Sequence, residues 1–113
     1  MKRSRLNPVN AKRRAKEFVR AYGGKARVAW VRQLGCCICK VKPADNAHLP
    51  SRSGMGRKGD ADRIVPLCRL HHQELHEQGQ ALVEARYGID LSVWADAITI
   101  AWERKQNESG QGE

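Results

Sequence analysis

Two short pairs of metal-ligand side chains constrain this chain more than anything else in it. Cys36 and Cys39 stand two residues apart in Gly-Cys-Cys-Ile-Cys, and Cys68 and His71 repeat that gap in Cys-Arg-Leu-His-His-Gln-Glu-Leu-His, residues 68–76. A two-residue gap lets both side chains of a turn reach one tetrahedral ion, so the two pairs together make a closed Cys₃His zinc site. Closing it forces two segments about thirty residues apart to meet. Cys36, and not Cys37, is the first ligand because its gap to Cys39 is the one that fits; Cys37 is left as a small buried thiol.

The second stretch holds more ligands than one ion needs. On a helix, His72 and His76 fall about one turn apart on one face, whereas His71 lies about 100° around the axis from His72. Paired histidines at this spacing hold the metal of zinc hydrolases. The chain therefore reads as two metal sites back to back, one closed and structural, one open and chemical.

At 113 residues and 12.7 kDa there is room for one domain and one modest core. With one Phe, two Tyr and three Trp, that core gains from a metal staple. Four cysteines without a secretory signal or an apolar run of spanning length point to a reducing cytoplasm, to metal rather than disulfide chemistry, and to no membrane partner. Charge is placed unevenly: residues 1–35 carry 11 Lys and Arg against one acid, and residues 80–113 carry 3 against 6. A basic end of that strength beside a metal site points to a polyanion, because Lys and Arg on phosphates release counterions.

In chain order, residues 1–9 read as a flexible basic arm and residues 106–113 as a disordered polar tail, with a single domain at 10–105. Asn10 is the expected cap of a basic amphipathic helix that turns Ala11, Ala15, Phe18, Val19 and Tyr22 inward and ends at Gly23-Gly24. Arg13, Lys16 and Arg20 lie on its other faces as candidate DNA-backbone contacts. Lys25 to Leu34 reads as a second helix with Val28, Val31 and Leu34 inward, stopped by Gly35. Residues 45–49 form a short strand broken by Pro50, with His48 its one chemically notable member. The loop 51–62 is rich in Gly and positive charge, and Arg52, Arg57 and Lys58 can meet phosphates there. Arg63 to Leu67 returns as a second strand to Cys68, a metal-bearing helix runs from near Arg69 to Gly79, Ala81 to Tyr87 continues as helix, and Ser92 caps a last helix carrying Val93, Ala97, Ile98, Ala101 and Trp102 inward.

Cys-x-x-Cys, Ala-His-Leu, Gly-Met-Gly-Arg-Lys-Gly-Asp and Val-Pro-Leu-Cys-Arg-Leu-His-His-Gln-Glu-Leu-His follow one another over residues 30–80. This succession resembles the HNH, or ββα-metal, endonucleases, and is most similar to the small ones carried by phages and prophages, a group that includes a RecA-dependent nuclease. The resemblance implies an α+β fold: a small ββα-metal core at about 36–79 with a structural zinc knuckle and flanking helices. It implies His48 as the general base and His72 with His76 as holders of one catalytic divalent ion, Mg²⁺, Mn²⁺, Ni²⁺ or Zn²⁺, beside the structural Zn²⁺. Asp62, or else Asp60, falls at the middle position of the motif. The chain departs from the pattern at Ala47, where family members often place a metal ligand. Asp45, Asp62 or Asp60 then supplies the missing oxygen, or His48 is itself a ligand.

The expectation is a metal-dependent endonuclease acting on double-stranded or branched DNA, of low sequence specificity or structure-directed, with a recombination protein as a possible partner. Its rival is a non-catalytic, zinc-stabilised DNA-binding or recombination-accessory module, for which His48, His72 and His76 would be surplus. Charge alone does not separate DNA from RNA.

Overall fold

The computed structural model describes residues 8–49 and 60–111. Residues 1–7 of the expected arm, the phosphate-contact candidates Arg52, Arg57 and Lys58, and residues 112–113 lie outside them. The fold is α+β: among the described residues, five helices surround one two-stranded antiparallel sheet. Helix α1 spans Pro8–Tyr22 and α2 Lys25–Leu34; strand β1 spans Asp45–His48 and β2 Ile64–Leu67, entered through a 3-10 turn at Ala61–Arg63. Then come α3 (Arg69–Gln78), α4 (Gln80–Tyr87) and α5 (Leu91–Gln111).

The sheet register, Asp45 opposite Leu67 and His48 opposite Ile64, sorts every side chain of the hairpin onto one of two faces. Ala47, Val65 and Leu67 join Leu75 of α3, Val83 of α4 and Leu91 and Ala95 of α5 in one apolar cluster. Ile64 turns the other way and packs with Val31 of α2 and Ile98 of α5. Both faces of the hairpin are therefore covered, which is why β2 is buried at all four positions and reads as a continuous apolar run rather than an alternation. Pro66 is tolerated because a two-stranded ribbon has only edge strands. Its carbonyl accepts the Cys37 N–H at 2.9 Å, which ties the Cys36–Cys39 turn onto β2.

Several helix limits differ from those expected. Helix α1 begins at Pro8 instead of Ala11, because a proline at the first helical position lacks only an N–H that would have no partner there. Phe18 and Val19 are exposed and Ala21 is the buried residue of that helix, since α1 meets the body near its C-terminal end, at α2 and the 3-10 turn. Helix α5 continues past residue 105 to Gln111, through a segment with no proline in which Gln106, Glu108 and Gln111 favour helix although Asn107, Ser109 and Gly110 do not. Its inward stripe is Leu91, Ala95 and Ile98, a spacing of four and three; Val93, Ala97 and Ala101 are exposed. The cap is Asp90, not Ser92: Asp90 Oδ1 accepts the Val93 N–H at 3.1 Å. Helix α2 matches its expected limits, yet it buries Arg27 together with Val31 and leaves Leu34 exposed.

Arg27 is 3% exposed, donates from Nη2 to Thr99 Oγ1 of α5 at 3.2 Å, and has its pKa lowered by burial. Opposing that, the charges of Asp62 and Glu103 favour its protonated form. Among the described residues no helix is long and apolar enough to cross a membrane.

Candidate metal centre

Gly35 turns the chain out of α2 at φ +84°, a backbone conformation glycine adopts without strain, and delivers Cys36 to a tight turn. There the Cys36 N–H donates to Val41 O at 2.9 Å, the Lys40 N–H donates to Cys36 O at 2.8 Å, and the Ile38 N–H points at Cys36 Sγ at 3.4 Å. At the other side, Cys68 sits at the start of α3, so His71 comes round one turn later beside it.

The four donors converge. The ligand atoms of Cys36, Cys39, Cys68 and His71 all lie within 4.8 Å of one another. His71 Nδ1 is 3.2 Å from Cys68 Sγ and 3.5 Å from Cys36 Sγ, and Cys39 Sγ is 3.7 Å from Cys68 Sγ. All four cysteines are free thiols, and Cys36, Cys68 and His71 are buried while Cys39 faces solvent. Burial by itself raises the Cys36 thiol, but backbone N–H groups of the turn and of Cys68, with the His71 ring, outweigh it and bring the pKa down to about 6. A thiol poised to ionise among three other soft or borderline donors fits a structural metal such as zinc. Cys37 behaves oppositely: burial, then the neighbouring Cys36, push it up to about 12, so it stays a thiol.

Tyr87 belongs to this centre although its sequence context suggested no chemistry. Its ring lies edge-on to His71, centroids 5.2 Å apart, and its hydroxyl donates to Glu74 Oε1 at 2.7 Å. Glu74 also pairs with Arg86, so α4 braces the ligand-bearing face of α3. A single Tyr in a short helix carries no signal of this kind.

The next histidine of α3 looks elsewhere. His72 Nδ1 is 2.9 Å from Asp45 Oδ2, and His76 lies over His72 with centroids 4.9 Å apart and planes tilted by 32°. A carboxylate oxygen only accepts here, so Nδ1 of His72 is the donor, which in the neutral ring leaves Nε2 as the lone-pair nitrogen. A hydrogen bond from His72, then the positive charge of Arg69, holds the Asp45 carboxyl below its ordinary range. Together with Arg69 and Gln73 these side chains line an open cleft of about 410 Å³. A carboxylate that fixes a histidine ring through one nitrogen and frees the other is the usual support of a metal-binding histidine. Among the described residues, only the thiolate set brings three or more metal-ligand side chains into tight convergence; here there are two imidazoles and one orienting carboxylate.

Three oxygens were candidates to make up for Ala47, and the fold separates them. Asp45 shares a strand face with residue 47, two positions on, and that face meets α3. Asp60 instead pairs with Arg20 of α1 at 2.7 Å, and Asp62 sits on the 3-10 turn where its charge acts on Arg27. Neither lines the His72–His76 cleft.

His48 is also placed apart. Strand alternation sends it and Asn46 to the α1 and α2 side: Asn46 Nδ2 donates to Val28 O at 3.2 Å, and His48 Nε2 donates to Ala21 O at 2.6 Å. Tyr22 packs edge-on against the His48 ring at 4.8 Å. Among the described residues, the cleft lined by His72 and His76 does not have His48 among its walls. Of the phosphate-contact candidates within the described residues, Arg13 and Lys16 are exposed, whereas Arg20 is held by Glu17 and Asp60.

Comparison with known proteins adds a family but no activity. Residues 13–104 match the family described as "Protein of unknown function (DUF968)". The chain is similar to "Uncharacterized protein YdfU" of Escherichia coli (strain K12), at 38% identity over 66 residues, which cover 57% of this chain and 19% of that protein. The chain therefore spans about a fifth of the length of the curated relative it matches. No solved structure matches it.

Proposed function

Since the chain belongs to the DUF968 family over a span that takes in both histidine- and cysteine-bearing clusters, we propose one function for the pair: a metal-dependent DNA endonuclease of the HNH type, stapled by zinc. The observation that carries this reading is the surplus on α3. Cys36, Cys39, Cys68 and His71 are enough to close one metal site, yet His72 is separately oriented by Asp45 with His76 beside it in an open cleft. A purely structural finger has no use for that second arrangement.

In this proposal His72 and His76 would hold a divalent ion, whose charge would stabilise the negative charge growing on a scissile phosphate. Asp45 keeps the His72 ring in the tautomer that binds. His48 is the candidate general base, and its ring is positioned by Nε2–H donating to the Ala21 carbonyl. Arg13 and Lys16 of α1, with the basic N-terminal third of the chain, hold the phosphate backbone.

The position of His48 favours a second reading, a non-catalytic, zinc-stabilised DNA-binding or recombination-accessory module in which His48 simply anchors α1 to β1. Supercoiled plasmid separates the two. With magnesium, manganese, nickel or zinc, an endonuclease nicks it; His72→Ala and His76→Ala abolish nicking while retaining one equivalent of tightly held zinc. Plasmid that is bound but left intact under every metal sinks the nuclease and leaves the module. Nicking by His48→Ala at the wild-type rate removes that residue from the chemistry.

A further inference from the structure

Along α1 lies a groove of about 510 Å³, and apart from Arg13 on the phosphate backbone the proposed nuclease gives its walls no role. Its walls include Arg13, Arg14, Phe18 and Tyr22, and its size is in the ~300–1,000 Å³ range of small-ligand clefts. Phe18 is 37% exposed, and among the described residues of α1 only Ala21 is buried, so packing does not call for a phenylalanine there. The ring is nevertheless held in place. It stacks on Tyr22 with centroids 5.3 Å apart and planes 28° from parallel, and Tyr22 in turn meets the ring of His48 edge-on. A column of three rings thus runs from the surface to β1.

The charges around the column are unequal. Arg20 in the same groove is taken up by Glu17 and Asp60. Arg13 and Arg14, about one turn before Phe18, are exposed and make no hydrogen bond or ion pair among the described residues. The groove therefore offers one fixed aromatic ring and two uncompensated guanidinium groups. Duplex DNA presents phosphates but no open base face, and a run of acidic side chains presents charge but no flat ring. An unpaired nucleotide presents both.

We propose that this groove binds an unpaired nucleotide of a single-stranded or gapped nucleic acid, its base stacked on Phe18 and its phosphate on Arg13 and Arg14. The proposal rests on the nucleic-acid function proposed for the chain and names the form of nucleic acid. It also puts the bound strand on the face of the hairpin that carries His48, because the aromatic column ends there.

Fluorescence anisotropy with a labelled oligothymidylate and with a duplex of equal length tests it on the full chain. Phe18→Ala keeps a strong helix former at an exposed position, and should lower the preference for single strand over duplex roughly 5- to 150-fold, the factor of one lost base–aromatic stack. Phe18→Trp, which keeps a ring, should restore it. An unchanged preference in Phe18→Ala overturns the stacking site while leaving the nucleic-acid function intact. Displacement of the oligothymidylate by an acidic peptide, but not by unlabelled single strand, overturns it in favour of a peptide groove. Wild-type protein that binds neither strand form removes both the groove and the function beneath it.

Discussion

Replacing Cys39 and Cys37 in turn, each by alanine, sets burial against ligation, and the two give opposite rankings. Cys37 is 5% exposed and part of the core, whereas Cys39 faces solvent. If packing were all that mattered, Cys37→Ala would be the damaging change, since an exposed side chain that holds nothing is trimmed without measurable effect. Convergence of the donors reverses the order. Cys39 Sγ is 3.7 Å from Cys68 Sγ in a set whose ligand atoms lie within 4.8 Å of one another. A structural zinc contributes on the order of 10–16 kcal/mol in small finger domains, comparable to the ~5–15 kcal/mol that separates most folded domains from their unfolded chains. Losing the fourth donor should therefore cost Cys39→Ala its zinc and its cooperative melt. Cys37→Ala loses one buried sulfur, while its N–H bond to the Pro66 carbonyl survives as a backbone interaction. That is worth about 1 kcal/mol, or about 4–8 °C in melting temperature for a domain of this size. Metal content by mass spectrometry and circular dichroism melts with and without chelator measure both. A Cys39→Ala protein that retains a full equivalent of zinc and melts like wild type would refute the assignment, as would a Cys37→Ala protein that loses its metal.

Asp45→Asn should weaken binding of manganese at the His72–His76 pair by about 10- to 100-fold, the usual effect of losing the group that orients a metal-binding histidine, with zinc content unchanged; titration calorimetry giving wild-type affinity would detach Asp45 from that role. Replacing Arg13 and Arg14 together by alanine should reduce the slope of log affinity against log salt on duplex DNA by about 0.9 for each phosphate the protein no longer neutralises; an unchanged slope means neither guanidinium reaches a phosphate. Asp90→Ala removes the acceptor for the Val93 N–H and should cost about 0.5–2 kcal/mol in urea denaturation. No loss would mean that Glu84, whose Oε2 accepts the Leu91 N–H at 2.8 Å, suffices as the cap.

Local spacing by itself determined which four side chains make the candidate metal site, most helix limits and the divergence of His71 from His72 along α3. A two-residue gap limits which side chains can reach one ion, and glycines at 24, 35, 79 and 88 flank helices because the chain there adopts angles other residues resist. With 3.6 residues per turn, His71 and His72 must diverge, and they do: one faces the thiols and the other faces Asp45. Only the tertiary structure decided which layer covers which face of the hairpin. Strand parity separates Asp45 and Ala47 from Asn46 and His48 in any fold, but nothing local says that α3 lies against the first pair and α1 with α2 against the second. That choice made Asp45, rather than Asp60 or Asp62, the partner of His72, and it set His48 beside Tyr22 instead of in the His72–His76 cleft. It also buried Arg27 and left Phe18 at the surface, because how deeply a helix face sinks depends on where the helix docks, a fact its own periodicity does not contain.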